Sequence, residues 1–350
     1  MPIAPISDRD WSWGSDTALV TLLVYCDFQS PYCVDLAAVI RELVDSYPED
    51  LRIIYRHFPL LTVHDKASIA GQAADSAGHQ GHFWDLYSFL NREYDEWKDL
   101  DPDSFLEWLL VTTKSLDLDH QQFEADLRGA RFEESMRESF INAYNAGING
   151  TPFVFLNYDW FRLNPTRLNL EAAIRLEFLS QRLYESSPEM NIDPEAAYLV
   201  HIQLNVGEIV LQLFPKSAPR TVNSFIFLAE NGWFTGNAVH HVAPGKFVQT
   251  GDPTGTGLGR PGYFLPDEID PDLNFNQSGI AALTSTGPNT NGSQFFITLS
   301  PLPELNGTRT IFGRVVKGLD LLLDLELRDP LEELLTPPQA YIESIRIEVK

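Results

Sequence analysis

Two hydrophobic rhythms divide this chain. In the first half, residues 18–25 form a continuous aliphatic and β-branched run, the pattern of a strand buried on both faces. Leu36, Val39, Ile40, Leu43 and Val44 then recur at helical spacing and predict a helix over 34–47. Residues 51–55 read as a second strand, residues 64–147 as helix almost throughout, and residues 153–156 as a third strand opened by Gly150-Thr151-Pro152. A last helix follows around 167–184. Strand, helix, strand, helical insertion, strand and helix imply an α/β domain whose helices cover its sheet.

The second half is β-rich. Residues 198–204 and 208–214 flank Asn205-Val206-Gly207, a hairpin signal. Pro219 stands near the start of an amphipathic helix over 221–231, where its fixed φ suits a first helical turn. Short strands are predicted at 239–243, 246–250, 280–284, 295–299, 310–316 and 342–349. Between the halves, residues 185–195 are acidic and carry prolines, which suggests a linker between domains 1–184 and 196–350.

A length of 350 residues suits two such domains, each able to bury its own core. The net charge is −24, and both halves are acidic: 15 basic against 30 acidic residues up to residue 187, and 10 against 19 beyond it. Nucleic acid and anionic lipid reward basic patches, so neither is an expected partner. No apolar run is long enough to span a bilayer. The polar stretch 1–16 lacks the apolar core of a signal peptide. The expected location is extracytoplasmic if a leader precedes this chain, and cytoplasmic otherwise.

The most specific stretch is Gly287-Pro288-Asn289-Thr290-Asn291-Gly292-Ser293-Gln294-Phe295-Phe296, a turn-rich loop running into an apolar strand. It resembles the signature of cyclophilins, the β-barrel peptidyl-prolyl isomerases. Further blocks of the resemblance are 219–225, 240–249, 250–253, 305–307 and 311–313. The resemblance implies an all-β-dominated closed barrel with flanking helices that rotates X–Pro bonds in client polypeptides. Amide resonance sets a barrier of about 18–20 kcal/mol to that rotation. Binding the twisted amide better than its planar isomers lowers it, without nucleophile, metal or cofactor. By position, Gln249 and Gln294 are polar groups of the site, Phe296 and Leu305 wall the proline pocket, and Asn289 lies beside the substrate backbone.

The departures fall inside that site. His241 stands where the family places its catalytic arginine. Lys246 occupies the first pocket phenylalanine's position, and Phe247, one residue later at a position that also contributes in the family, is the residue expected to line the pocket. Arg309 replaces a rim histidine and Glu304 a tryptophan. Two readings stay open. Loss of the permanent cation leaves an impaired or inactive isomerase that still binds proline-containing peptides. Alternatively, Arg309 or a protonated His241 supplies the charge that favours the twisted amide.

In the first domain, Tyr25 to Cys33, Ile54 to Pro59 and Gly150 to Phe153 resemble the DsbA-like branch of the thioredoxin fold. The family's Cys-x-x-Cys reads Ser30-Pro31-Tyr32-Cys33 here, so the nucleophilic thiol is a serine and ordinary dithiol exchange is excluded. The resemblance implies a cis bond at Thr151-Pro152 and an exposed backbone edge that holds substrate peptide. The simplest reading of Cys26 and Cys33 is two small buried hydrophobes; a disulfide between them is the alternative, and a thiol oxidoreductase the least favoured function. The expected whole is a folding factor whose first domain is a redox-silent client-binding platform, or else a chaperone-like binder without chemistry.

Other signals carry less. The glycine-rich stretch 255–262 lacks the Gly-Lys-Ser/Thr ending of a phosphate loop, and Asp267, Glu268, Asp270 and Asp272 lack EF-hand spacing. No histidine spacing suggests zinc.

Overall fold

In the computed structural model, which describes residues 3–350, the apolar run of the first half becomes the centre of a five-stranded sheet. Its strands are β1 (Trp11–Trp13), β2 (Val20–Cys26), β3 (Leu51–His57), β4 (Phe153–Leu156) and β5 (Asp159–Trp160), in the order β1-β3-β2-β4-β5. β2 and β3 are parallel and joined by α1 (Pro31–Ser46); the other pairs are antiparallel. Strand alternation sorts the side chains onto two faces. Ile54 joins Leu23, Tyr25, Phe58, Phe153 and Phe155, whereas Tyr55 turns to the rings of Phe28, Phe83 and Tyr87.

The helical stretch resolves into α2 (Ala67–Gly78), α3 (Phe83–Arg92), α4 (Tyr94–Trp97), α5 (Pro102–Thr112), α6 (His120–Arg128) and α7 (Glu133–Asn145). Caps set these breaks: the Asp101 carboxylate accepts from the Asp103 and Ser104 N–H groups, and that of Asp119 from Gln122 N–H. The Ala-rich α2 is buried along nearly its whole length, where small side chains let neighbours approach. A helix α8 (Arg167–Ser180) follows β5.

The chain divides into two compact units after Leu170. Residues 185–195 have no regular structure but are anchored in the second unit. Asn191 N–H donates to Asn223 Oδ1, Asn223 Nδ2 to Glu189 O, and Asp193 N–H to Tyr198 Oη.

The second unit is an eight-stranded sheet of β6 (Tyr198–Leu204), β7 (Gly207–Leu213), β8 (His241–Ala243), β9 (Phe247–Thr250), β10 (Ile280–Leu283), β11 (Phe295–Thr298), β12 (Ile311–Lys317) and β13 (Ile342–Val349). The order is β13-β6-β7-β12-β10-β11-β9-β8. The expectation of a closed barrel is corrected: the sheet is a curled half-barrel, because β8 and β13 form no ladder. β8 is only three residues long, and its outer edge is taken by a bridge from Val242 to Arg328. The remaining gap is spanned by an isolated bridge from Ala238 to Tyr341 and by hydrogen bonds such as Val239 N–H to Ala340 O. Helix α9 (Pro219–Glu230) fills one side with Val222, Phe225 and Ile226. No helix among the described residues is long and apolar enough to cross a membrane.

Candidate functional site

In the second unit, strand periodicity builds the site. Along β11, Phe295 and Ile297 enter the main core, whereas Phe296 points the other way into a smaller apolar cluster with Phe275, Ile280, Leu302 and Ile311. On the adjacent β9, Phe296 pairs with Gln249, which places Phe247 and Gln249 on the same face. His241 on β8 pairs in turn with Gln249. Phe247 is thus wedged between His241 and Phe296, with ring centroids 5.1 and 5.9 Å away. Leu305, on a short 3-10 turn, packs against the same cluster. Lys246 is exposed in the turn between β8 and β9.

The polar side of the site is a chain of amides. Gln249 Nε2 donates to Gln294 Oε1 at 2.8 Å, and Gln294 Nε2 donates to Gly257 O and Gly259 O, each at 2.9 Å. The glycine-rich stretch is therefore a loop of this site. It wraps the fully buried Asp252, whose carboxylate accepts from the N–H groups of Thr254 and Gly259 and the hydroxyl of Thr254. Gly259 must be glycine, since a Cβ there would strike that carboxylate. Neighbouring His240 is 1% exposed, and burial lowers its pKa, which keeps the ring neutral.

Six of the expected residues thus meet: His241, Phe247, Gln249, Gln294, Phe296 and Leu305. Two stand apart. The Arg309 guanidinium donates to Thr308 O at 2.9 Å. Asn289, with a left-handed φ of 58°, spends its side-chain oxygen on Asp267 N–H, while its own N–H donates to Asp267 Oδ2. The acidic residues nearby have structural partners too: Glu268 caps α9 by accepting from Arg220 N–H, Thr221 N–H and the Thr221 hydroxyl.

In the first unit, Ser30 is the buried N-cap of α1, with Pro31 at the first helical position. The Thr151-Pro152 bond is cis. The reading of Cys26 and Cys33 as separate buried hydrophobes is overturned: they form a disulfide. Cys26 ends β2 and Cys33 lies in the first turn of α1, which brings their Cα atoms to 5.9 Å, inside the range a disulfide needs. Each residue is 4% exposed. Beside them the buried Asp27 accepts from Gln29 N–H, Leu60 N–H and His64 Nδ1, the last at 2.8 Å. That hydrogen bond raises the His64 pKa. Sequence reasoning missed the roles of Asp27, His64 and Asp252, since a lone Asp or His carries no spacing signal until the fold brings its partners.

Each unit matches a known family. The model of the cyclophilin type peptidyl-prolyl cis-trans isomerase family matches residues 199–346, and a thioredoxin model matches residues 7–175. The peptidyl-prolyl cis-trans isomerase ppi1 of Schizosaccharomyces pombe is 46% identical over 125 residues, covering 35% of this chain and 81% of that protein. The peptidyl-prolyl cis-trans isomerase-like 1 of Mus musculus is 44% identical over 126 residues, covering 35% of this chain and 76% of its own. A solved cyclophilin type isomerase of Cryptosporidium parvum is 34% identical with a TM-score of 0.40, covering 43% of this chain and 98% of its own. The chain belongs to the cyclophilin-type peptidyl-prolyl cis-trans isomerases and carries a thioredoxin-like domain ahead of its isomerase domain.

Proposed function

We propose that this isomerase is a folding factor of reduced activity whose thioredoxin-like domain is a redox-silent platform for client polypeptides. The observation that carries the first part is the side chain at the groove where the resemblance puts an arginine. Imidazole, not guanidinium, sits beside Phe247 and opposite Gln249, while Arg309 is engaged with its own loop. A neutral imidazole stabilises the twisted amide less than a permanent cation would. The redox-silent part rests on Ser30 at the nucleophile position and on both sulfurs being buried in one disulfide. Unfolded, proline-containing polypeptides are the proposed partners. A charge of −24 disfavours nucleic acid, and membrane insertion forms no part of the reading. A structural disulfide persists in oxidising surroundings, which favours an extracytoplasmic location.

The test is isomerisation of a short X–Pro peptide between pH 5.5 and 8.5 by the wild type, His241→Ala and Arg309→Ala. Under this reading acceleration is modest, rises toward acid pH and is lost in His241→Ala. A pH-independent rate lost in Arg309→Ala instead would move the role to the guanidinium. The second reading, a binder without catalysis, is favoured by the Arg309 contact with Thr308 and predicts peptide binding with no acceleration at any pH.

A further inference from the structure

We infer that Asp252, which touches no groove side chain, is a positioning residue that fixes which end of the Gln249 amide faces His241. The inference rests on the isomerase reading of this domain and follows from hydrogen-bond polarity along one path. Asp252 Oδ2 accepts from Gly259 N–H at 3.0 Å, and Oδ1 accepts from Thr254 N–H at 2.8 Å and its hydroxyl at 2.7 Å. Thr256 adds a second layer: its hydroxyl meets that of Thr254 at 2.7 Å and accepts from Leu258 N–H at 3.1 Å. These bonds curl residues 254–259 so that two carbonyls, of Gly257 and Gly259, converge on one point 2.9 Å from Gln294.

Two carbonyl oxygens can be met only by the NH2 end of an amide. Gln294 therefore cannot flip, and its oxygen must face Gln249. An oxygen there accepts only a donor, so Gln249 must turn its own Nε2 to it, at 2.8 Å. The free end of Gln249 is then its Oε1. His241 is its direct cross-strand partner, a relation that sets Cβ atoms about 4.5–5.5 Å apart. An acceptor fixed on that side offers a place for a ring N–H and so sets how the imidazole is held against the groove. Asp252 thus acts through four links without reaching the substrate.

The experiment uses the full chain and has two readouts. The first is exchange of the side-chain amide protons of Gln294 with solvent, followed by NMR against those of the exposed Gln121. Wild type should protect the Gln294 protons at least about tenfold, through its two bonded carbonyls, and Asp252→Asn should abolish that protection. The second is turnover of an Ala-Pro peptide. Asp252→Asn should lower kcat about tenfold with KM unchanged, yet by less than about twofold in a Gln249→Ala background, because coupled residues are not additive. Should Asp252→Asn fail to fold, Thr254→Val removes one donor from the same carboxylate and should give a smaller effect with the same dependence on Gln249. Protection unchanged in the variants, or an equal loss of kcat in both backgrounds, would overturn the inference. Wild type that is inactive throughout would sink the isomerase reading, while the exchange readout still decides the amide path.

Discussion

Opening the Cys26–Cys33 disulfide should destabilise the first unit by a calculable amount. The two residues are seven apart in sequence, so the bridge closes a loop of about eight residues. Loop-closure entropy for that size gives about 2.5 kcal/mol at 25 °C. For a unit of this size, each kcal/mol moves the melting temperature by about 2–4 °C, so reduction should lower it by about 5–10 °C. The chain reports on itself: of seven tryptophans, six precede residue 171 and only Trp233 follows. Thermal unfolding followed by tryptophan fluorescence, with and without a dithiol reductant, therefore reads mainly the first unit. Cys26→Ala/Cys33→Ala should match the reduced wild type and be indifferent to the reductant. Reduced and oxidised protein melting within about 1 °C of each other, with complete reduction verified by thiol titration, would refute the entropic argument. Two free thiols in protein purified without reductant would refute the bridge itself.

Two further outcomes follow from the same structure. The Asp27 hydrogen bond raises the His64 pKa above its unfolded value, so its stabilisation is complete below the ordinary histidine range and lost as pH rises through the raised value; the stability gap between wild type and His64→Gln should narrow from pH 6 to pH 9 in denaturant titrations, and a widening gap would contradict the sign. Phe296 is 6% exposed and stacked on Phe275 at 5.8 Å, so Phe296→Ala should cost the second unit about 3–5 kcal/mol in chemical denaturation; a loss under about 1 kcal/mol would mean that the pocket wall collapses to fill the gap.

Long periodic segments were legible in the sequence. The apolar run that became β2 and the alternating strands of the second unit stand within a few residues of where their patterns put them, since burial of one or both faces writes itself into composition. Short edge elements were not. Trp11–Trp13 and Asp159–Trp160 have too few residues to show a period and exist because a neighbouring strand offers them an edge. The resemblance pointed to Phe296 and Leu305 by position, but the register that sets Phe247 beside Phe296 came only with the folded sheet. The amide path was only half readable. Gln249 and Gln294 stood out by resemblance, but the carboxylate that orients them is 42 residues before Gln294 and speaks through backbone groups, which leave no mark on residue identity. The disulfide was misjudged for a related reason: a spacing of seven residues says nothing until a strand end and a helix start are folded against each other.

The seam between β8 and β13 has a consequence for how the enzyme moves. Segments open locally in proportion to how little holds them. β8 has one ladder neighbour, β9, and on its other side a single bridge from Val242 to Arg328. It is therefore a lightly held edge strand, and it is the strand that carries His241. Local opening of that strand would shift the His241 ring against Phe247 and Gln249, so this side of the groove is the side least fixed by the rest of the sheet.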